Sequence, residues 1–105
     1  MRKIAKIDAN HKEIVSEFRR HGCTVLSLAA LGRGVPDLLV AAPEGATILV
    51  EIKSAKGKLT PQQQEFRKFW PGPFSVIRDV AGAETLCKIL KKGGKSETKN
   101  YDRNS

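Results

Sequence analysis

Cysteine is scarce in this chain: Cys23 and Cys87 are the only two in 105 residues. Each has apolar neighbours, and no two Cys or His have the spacing of a zinc-binding pair. A disulfide framework and a cysteine-based zinc site are therefore excluded, and both thiols read as reduced core residues of a cytoplasmic protein. Long apolar runs are also missing. None approaches the length of a membrane span, and the N-terminus lacks the apolar core of a signal peptide, so no membrane partner is expected. No segment repeats. Acidic residues are in short supply, eleven against nineteen Lys and Arg, which leaves a net charge of +8. That balance favours a polyanionic partner, nucleic acid first.

What is present centres on the stretch from Gly34-Val35-Pro36-Asp37 to Glu51-Ile52-Lys53. Two apolar runs, Leu38 to Ala42 and Thr47 to Ile52, flank Pro43-Glu44-Gly45. Pro suits the first central position of a type I turn and Gly a following left-handed residue, so the three residues predict a hairpin loop with a bulge. That loop pairs Ala42 with Ala46 and hence Asp37 with Glu51. Opposed residues share a face, and Lys53 shares it with Glu51 because side chains repeat every second residue. A loop one residue longer would turn Asp37 to the other side. The opposite face, Leu38, Val40, Ile48, Val50 and Ile52, is wholly apolar and must be covered. The site face is apolar near the turn (Leu39, Ala41, Leu49) and charged only at its far end. Charges at the end of a buried strand need partners, a metal or water.

A bare Glu-x-Lys on a strand is commonly a surface ion pair of little energetic weight. A Pro-Asp at hairpin spacing upstream changes the reading. Two neighbouring carboxylates suit Mg²⁺ or Mn²⁺, which take oxygen ligands and keep several waters. Such an ion polarises a phosphate and acidifies a bound water, and a lysine beside it supplies a point charge for the phosphate or positions the water.

Along the chain, Met1 to Ile7 is basic and expected to be loosely held. Asp8 or Asn10 is the expected cap of a helix ending near His21 and Gly22. Its apolar face is Ile14, Val15 and Phe18, with His11 on the same side and Glu13 and Glu17 opposite. Thr24 to Leu28 is the first strand, with Val25 and Leu26 as its core. Gly32-Arg33-Gly34 forms a loop whose amides and Arg33 are placed to approach a phosphate, though a plain turn with a solvated Arg reads equally from the residues. Ser54 to Lys58 is a basic loop, with Lys56 and Lys58 as candidate DNA-backbone contacts or simply solvated lysines. Thr60-Pro61-x-Gln63 starts a second helix with a capping box. Phe66, Phe69 and Trp70 form its expected buried face, Trp70 reading as core rather than as a base-stacking platform. Phe74 to Ile77 is a fourth strand. A last helix is expected from Ala81 to Lys92, with Leu86, Ile89 and Leu90 apolar and Gly93-Gly94 as its stop. The whole reads as one α/β domain over residues 1–94, a mixed sheet flanked by helices in the order α-β-β-β-α-β-α, followed by a polar tail, 95–105, expected to be disordered.

Gly34-Val35-Pro36-Asp37-Leu38, Glu51-Ile52-Lys53 and Leu59-Thr60-Pro61 with its glutamines and Phe66 together resemble the PD-(D/E)XK nuclease superfamily. The match is nearer to its VRR-Nuc branch, and within that to small stand-alone members of bacteriophage type. The resemblance covers about residues 8–92. It implies a restriction-endonuclease-like core and a Mg²⁺- or Mn²⁺-dependent DNA endonuclease with Asp37, Glu51 and Lys53 as catalytic residues. Asp37, Glu51 and the backbone carbonyl of Ile52 would hold the metal. It also implies that a glutamine of the second helix, Gln63, reaches the site, although capping alone accounts for that residue. Many members carry an acidic residue inward on the first helix; here the matching position is His11, a supporting contact to a metal-bound water or a phosphate. Small members look like dimeric resolvases of four-way (Holliday) junctions, so a structure-selective homodimer acting on branched DNA is the leading expectation. The last helix or the strand Phe74 to Ile77 would supply the interface. The competing expectations are a flap or nicking nuclease and a non-catalytic DNA-binding module that has kept the fold.

Overall fold

Pro43 and Gly45 set the geometry of the central hairpin. Gly45 takes φ 105°, a left-handed backbone open to glycine at little cost, and the loop closes with Ala42 N–H donating to the Ala46 carbonyl at 2.8 Å. In this computed structural model, which describes residues 2–104 and the side chains of residues 10–92, strand β2 (Leu38–Ala41) pairs antiparallel with β3 (Thr47–Ile52). The register is the expected one: Leu38 lies opposite Val50 and Ala41 opposite Thr47. Strand β1 (Thr24–Ser27) adds antiparallel to β2, and β4 (Phe74–Ile77) adds parallel to β3. The result is a mixed four-stranded sheet in the order β1-β2-β3-β4. A helix must cross between parallel neighbours, and α2 (Pro61–Phe69) does so here.

The face carrying Leu38, Val40, Ile48, Val50 and Ile52 is the core, as its unbroken apolar pattern requires. It is covered by α1 (Arg2–Arg20) through Ile14 and Phe18 and by α3 (Val80–Asn104) through Ala83, Leu86, Cys87 and Leu90. Ile14 and Phe18 are wholly buried, and truncating such a Phe to Ala costs about 3–5 kcal/mol. Cys23 and Cys87 are both free and buried, and burial pushes the Cys87 thiol up to about 12, which keeps it protonated and unreactive.

Several elements depart from the sequence expectation. Helix α1 begins at Arg2 rather than at Asp8 or Asn10: Arg2, Lys3, Ala5 and Lys6 are strong helix formers, and a residue able to cap is also tolerated inside a helix. Helix α3 begins at Val80 and runs through Gly93-Gly94 to Asn104, so the glycines are not a stop. Two glycines cost about 1 kcal/mol each in a helix interior, and the lysines on both sides favour continuing it. What was expected of Met1 and Ser105 lies outside the described residues. Within the predicted loop after β1, Ala29–Leu31 forms one turn of 3-10 helix.

The other face of the sheet is thinly covered. Cross-strand pairing lines up Leu26, Leu39, Leu49 and Phe74 in one row, yet Leu26 is 56% exposed and is not the core residue expected. None of the described residues of α2 is buried. Phe69, expected in the core, is 76% exposed, and Trp70 is 40% exposed and stacks on Phe66 with ring centroids 5.8 Å apart. Helix α2 touches the sheet through Arg67, whose guanidinium lies 5.1 Å from the Phe74 ring centre. Ile89 of α3 is likewise exposed.

Candidate active site

Asp37 leads into β2 at the point where Glu51 and Ile52 end β3. The Ile52 N–H donates to Asp37 Oδ2 at 2.7 Å, which ties the carboxylate to the backbone beside Glu51. Asp37 in turn fixes the start of β2, since its carbonyl accepts the Leu28 N–H at 2.7 Å. Glu51 is 3% exposed and close enough to Asp37 to feel its charge. Burial first, and then the charge of Asp37, push the Glu51 carboxyl up to about 8, with Lys53 pulling the other way. Lys53 Nζ stands 3.8 Å from Glu51 Oε2. The hairpin thus brings Asp37, Glu51 and Lys53 to one place.

Helix α2 adds a fourth group. The Thr60 side chain accepts the Gln63 N–H at 3.2 Å and Gln63 Oε1 accepts the Thr60 N–H at 2.9 Å, closing the capping box. The same amide donates from Nε2 to Glu51 Oε2 at 2.9 Å. Capping and site contact, which from the residues alone were rival explanations of Gln63, are two ends of one side chain. The helix start is pressed against the loop that leads to Asp37: Gly34 has φ +82°, and a Cβ there would come within 2.4 Å of the Gln62 carbonyl oxygen. Only glycine fits.

His11 reaches the site from α1, with Nε2 3.9 Å from Asp37 Oδ2. Glu17, expected on the outer side of α1, is instead buried. It accepts from Arg20 Nη2 at 2.8 Å and pairs with His21 Nε2 at 2.9 Å; these hydrogen bonds, Arg20 first, hold its carboxyl below the ordinary range. It lies six residues beyond His11, about 9 Å along the helix, and does not join the site. The helical wheel placed it wrongly because its side of the helix packs towards α3, near Cys87. Arg33 is exposed, with φ 56°, in the loop leading to Asp37. Lys56 and Lys58 are exposed in the loop after β3.

Sequence reasoning missed the residue that shapes that loop. Arg78 Nη1 donates to the carbonyls of Ser54 at 2.7 Å and Gly57 at 2.6 Å, with Ala55 O at 3.4 Å. Its partners are backbone atoms more than twenty positions away, which leaves no pattern to read. The Asp37 to Ile52 N–H bond was invisible for the same reason.

The donor set fits a hard divalent cation. Two carboxylates crowded enough to hold a proton near neutrality need positive charge, and a metal supplies it more fully than Lys53 can. Among the described residues no three His, Cys, Asp or Glu side chains cluster to hold a metal. Two carboxylates and a backbone carbonyl suit an ion that keeps several waters. No helix among the described residues is long and apolar enough to cross a membrane.

The family model of the VRR-NUC domain matches residues 5–69. A protein of Acyrthosiphon pisum secondary endosymbiont phage 1 named "Putative nuclease p44" is 42% identical over 91 residues, spanning 84% of this chain and 95% of its own length. A solved structure titled "VRR_NUC domain" superposes with a TM-score of 0.66 at 27% identity, covering 77% of this chain and 92% of that one. The match runs from α1 through the hairpin to the last turn of α2, the segments that bring Asp37, Glu51, Lys53 and Gln63 together, and the chain belongs to the VRR-NUC family of nuclease domains.

Proposed function

We propose that the protein is a Mg²⁺- or Mn²⁺-dependent DNA endonuclease that acts on branched DNA as a homodimer, with the four-way junction as its substrate. The observation that carries the chemistry is the pair of carboxyls, buried Glu51 and half-buried Asp37, with Lys53 Nζ 3.8 Å from Glu51. A protein that only bound DNA would gain nothing from two carboxylates turned towards a polyanion. The name of the phage relative supports a nuclease.

In this reading Asp37, Glu51 and the carbonyl of Ile52 hold the metal. Ile52 is the residue whose N–H already fixes Asp37, so its backbone lies beside that carboxylate. When bound, the ion supplies Lewis acidity to the phosphate and lowers the pKa of water. Lys53 orients the attacking water and offsets charge on the scissile phosphate. The water oxygen bonds to phosphorus as the opposite phosphorus–oxygen bond to the sugar breaks in line. Gln63 keeps Glu51 in its working orientation. The net charge of +8 draws the backbone in without reading sequence.

The dimer follows from the cut. One site of this size severs one strand, and resolving a junction takes two symmetric cuts, which a two-fold dimer provides. Exposed Ile89 on α3 and the outer edge of β4 are the candidate surfaces. The test is purified protein with four-way junction, fork, flap and linear duplex DNA, with and without Mg²⁺ or Mn²⁺, alongside light scattering. Paired nicks across the junction by a dimer are expected. A monomer that cuts only flaps overturns the resolvase reading, and no metal-dependent cleavage of any DNA overturns the nuclease chemistry.

A further inference from the structure

Beyond the carboxylates, at the C-terminal ends of β3 and β4, lies a cavity of about 260 Å³ whose walls include Asn10 and His11 of α1, Lys53, and Arg78. It is smaller than the pockets that enclose drug-sized molecules and has room for a phosphate with its waters, at about 30 Å³ per water. Its charged groups are cationic: Lys53, which also belongs to the catalytic site, and Arg78 both line it. The acid next to Arg78 in the chain, Asp79, is turned to α3, where Oδ1 accepts the Gly82 N–H at 2.8 Å. Asp37 is not among the residues that line it, though it stands 3.9 Å from the His11 ring nitrogen.

Arg78 is the informative residue. Nη1 has two N–H groups, and the carbonyls of Ser54 and Gly57 take them at 2.7 and 2.6 Å. The Nε and Nη2 groups, three of the five N–H donors of a guanidinium, have no hydrogen-bond partner among the described residues. One edge of the planar group is therefore clamped to backbone while the rest of its donors stay open. A guanidinium held this way has already lost much of its rotamer freedom and presents a fork matched to phosphate oxygens. The clamp also fixes the Ser54 to Gly57 loop, so Lys56 is presented by the same bond set.

We propose that this cavity is a second phosphate subsite, which takes the phosphodiester next to the scissile one on the cut strand. Arg78 is its charged donor, and Asn10 and His11 form the facing wall. The subsite sets the strand in line with Lys53 and gives the enzyme a grip that does not depend on the metal. The inference rests on the nuclease reading above.

The test is a neutral-phosphate scan. Oligonucleotides carry a single methylphosphonate at successive positions around the mapped cut, and affinity is read by fluorescence anisotropy in EDTA with the Glu51→Gln protein. One position beside the cut should lose about fivefold in affinity, the upper end of an exposed charge contact. Adding Arg78→Gln should abolish that positional penalty and leave the others. Asn10→Asp, which places a carboxylate in the wall without touching the loop, should weaken binding of the unmodified strand and also erase the penalty. If Arg78→Gln lowers affinity evenly at every position and Asn10→Asp changes nothing, Arg78 only holds the loop and the subsite is refuted. A penalty that moves with a terminal phosphate rather than with the cut assigns the cavity to strand ends and overturns the internal subsite. Wild-type protein that cuts normally but gives a flat scan sinks the subsite alone; protein that cuts no DNA removes the nuclease reading and the subsite with it.

Discussion

Replacing Glu51 by Gln should make the metal-free protein more stable while abolishing its activity. A carboxyl whose pKa rises on folding destabilises the fold wherever the unfolded chain is already ionised. Between 4.5 and about 8 the folded chain binds more protons at Glu51 than the unfolded chain does, so stability falls as pH rises through that window and is level above it. At about 1.4 kcal/mol per pH unit, the ceiling is about 5 kcal/mol. The neutral amide keeps a dipole in the same place and still accepts from Gln63, but Lys53 loses its counter-charge. The observable gain at pH 9 in EDTA is then about 1–3 kcal/mol, or roughly 5–15 °C in Tm for a domain of this size. At pH 5 the variant and wild type should melt nearly together, because Glu51 carries its proton in the folded wild type. Adding millimolar Mg²⁺ or Mn²⁺ should raise the wild-type Tm by mass action and leave Glu51→Gln almost unmoved, since an amide binds a hard cation poorly. Circular-dichroism melts at the two pH values, with and without metal, decide it. If Glu51→Gln is no more stable than wild type at pH 9 without metal, the carboxylates are not crowded as described. Cleavage at the wild-type rate would refute the role of Glu51 altogether.

Lys53→Ala should lower single-turnover cleavage by about a hundredfold or more while DNA affinity falls less than threefold; equal losses in both would make Lys53 a binding residue only. Gln63→Glu separates the two ends of that side chain. A Glu still accepts the Thr60 N–H, so α2 should stay capped, but the donor to Glu51 is replaced by a third carboxylate, and the metal-free Tm should fall and recover with divalent metal. A fall that metal does not reverse would mean that the cap, not the site, was damaged. Gly34→Ala drives a methyl into the Gln62 carbonyl from a left-handed backbone, and a loss of about 2–4 kcal/mol with displacement of α2 is expected; denaturant melts showing under 0.5 kcal/mol would show that the contact yields freely.

The legible parts of this protein are those fixed by local chemistry. Pro43 and Gly45 dictate a turn, the turn dictates a register, and the register places Asp37 beside Glu51. Thr60-Pro61-x-Gln63 dictates a helix start. The strand Phe74 to Ile77 stands as expected because its apolar run is closed by Pro73 on one side and Arg78 on the other. Burial was harder to read. A pattern shows which side of an element is apolar, not whether anything lies over it, so Leu26, Phe69 and Trp70 looked like core and are exposed. Glu17 failed in the opposite sense, since Arg20 in the last turn of its helix and His21 just beyond it satisfy a charge that its burial leaves short of water. Helix ends also misled, because Asn10 and Gly93 are permitted inside helices as well as at their limits. Bonds from side chains to distant backbone, such as that of Arg78 to Ser54, have no signature in sequence.

The single amide of Gln63 has a thermodynamic consequence. It closes the first turn of α2 with its oxygen and holds Glu51 with its nitrogen, and no described residue of α2 is fully buried. Fraying of that turn and the charge on Glu51 are therefore linked equilibria, and linkage is reciprocal. Whatever changes the charge at Glu51 alters the opening free energy of the helix start by the same amount that opening alters the proton affinity of Glu51. Hydrogen exchange of the Gln64 amide, bonded to the Thr60 carbonyl at 2.9 Å, would then serve as a remote gauge of the ionisation state of the site, readable without any substrate.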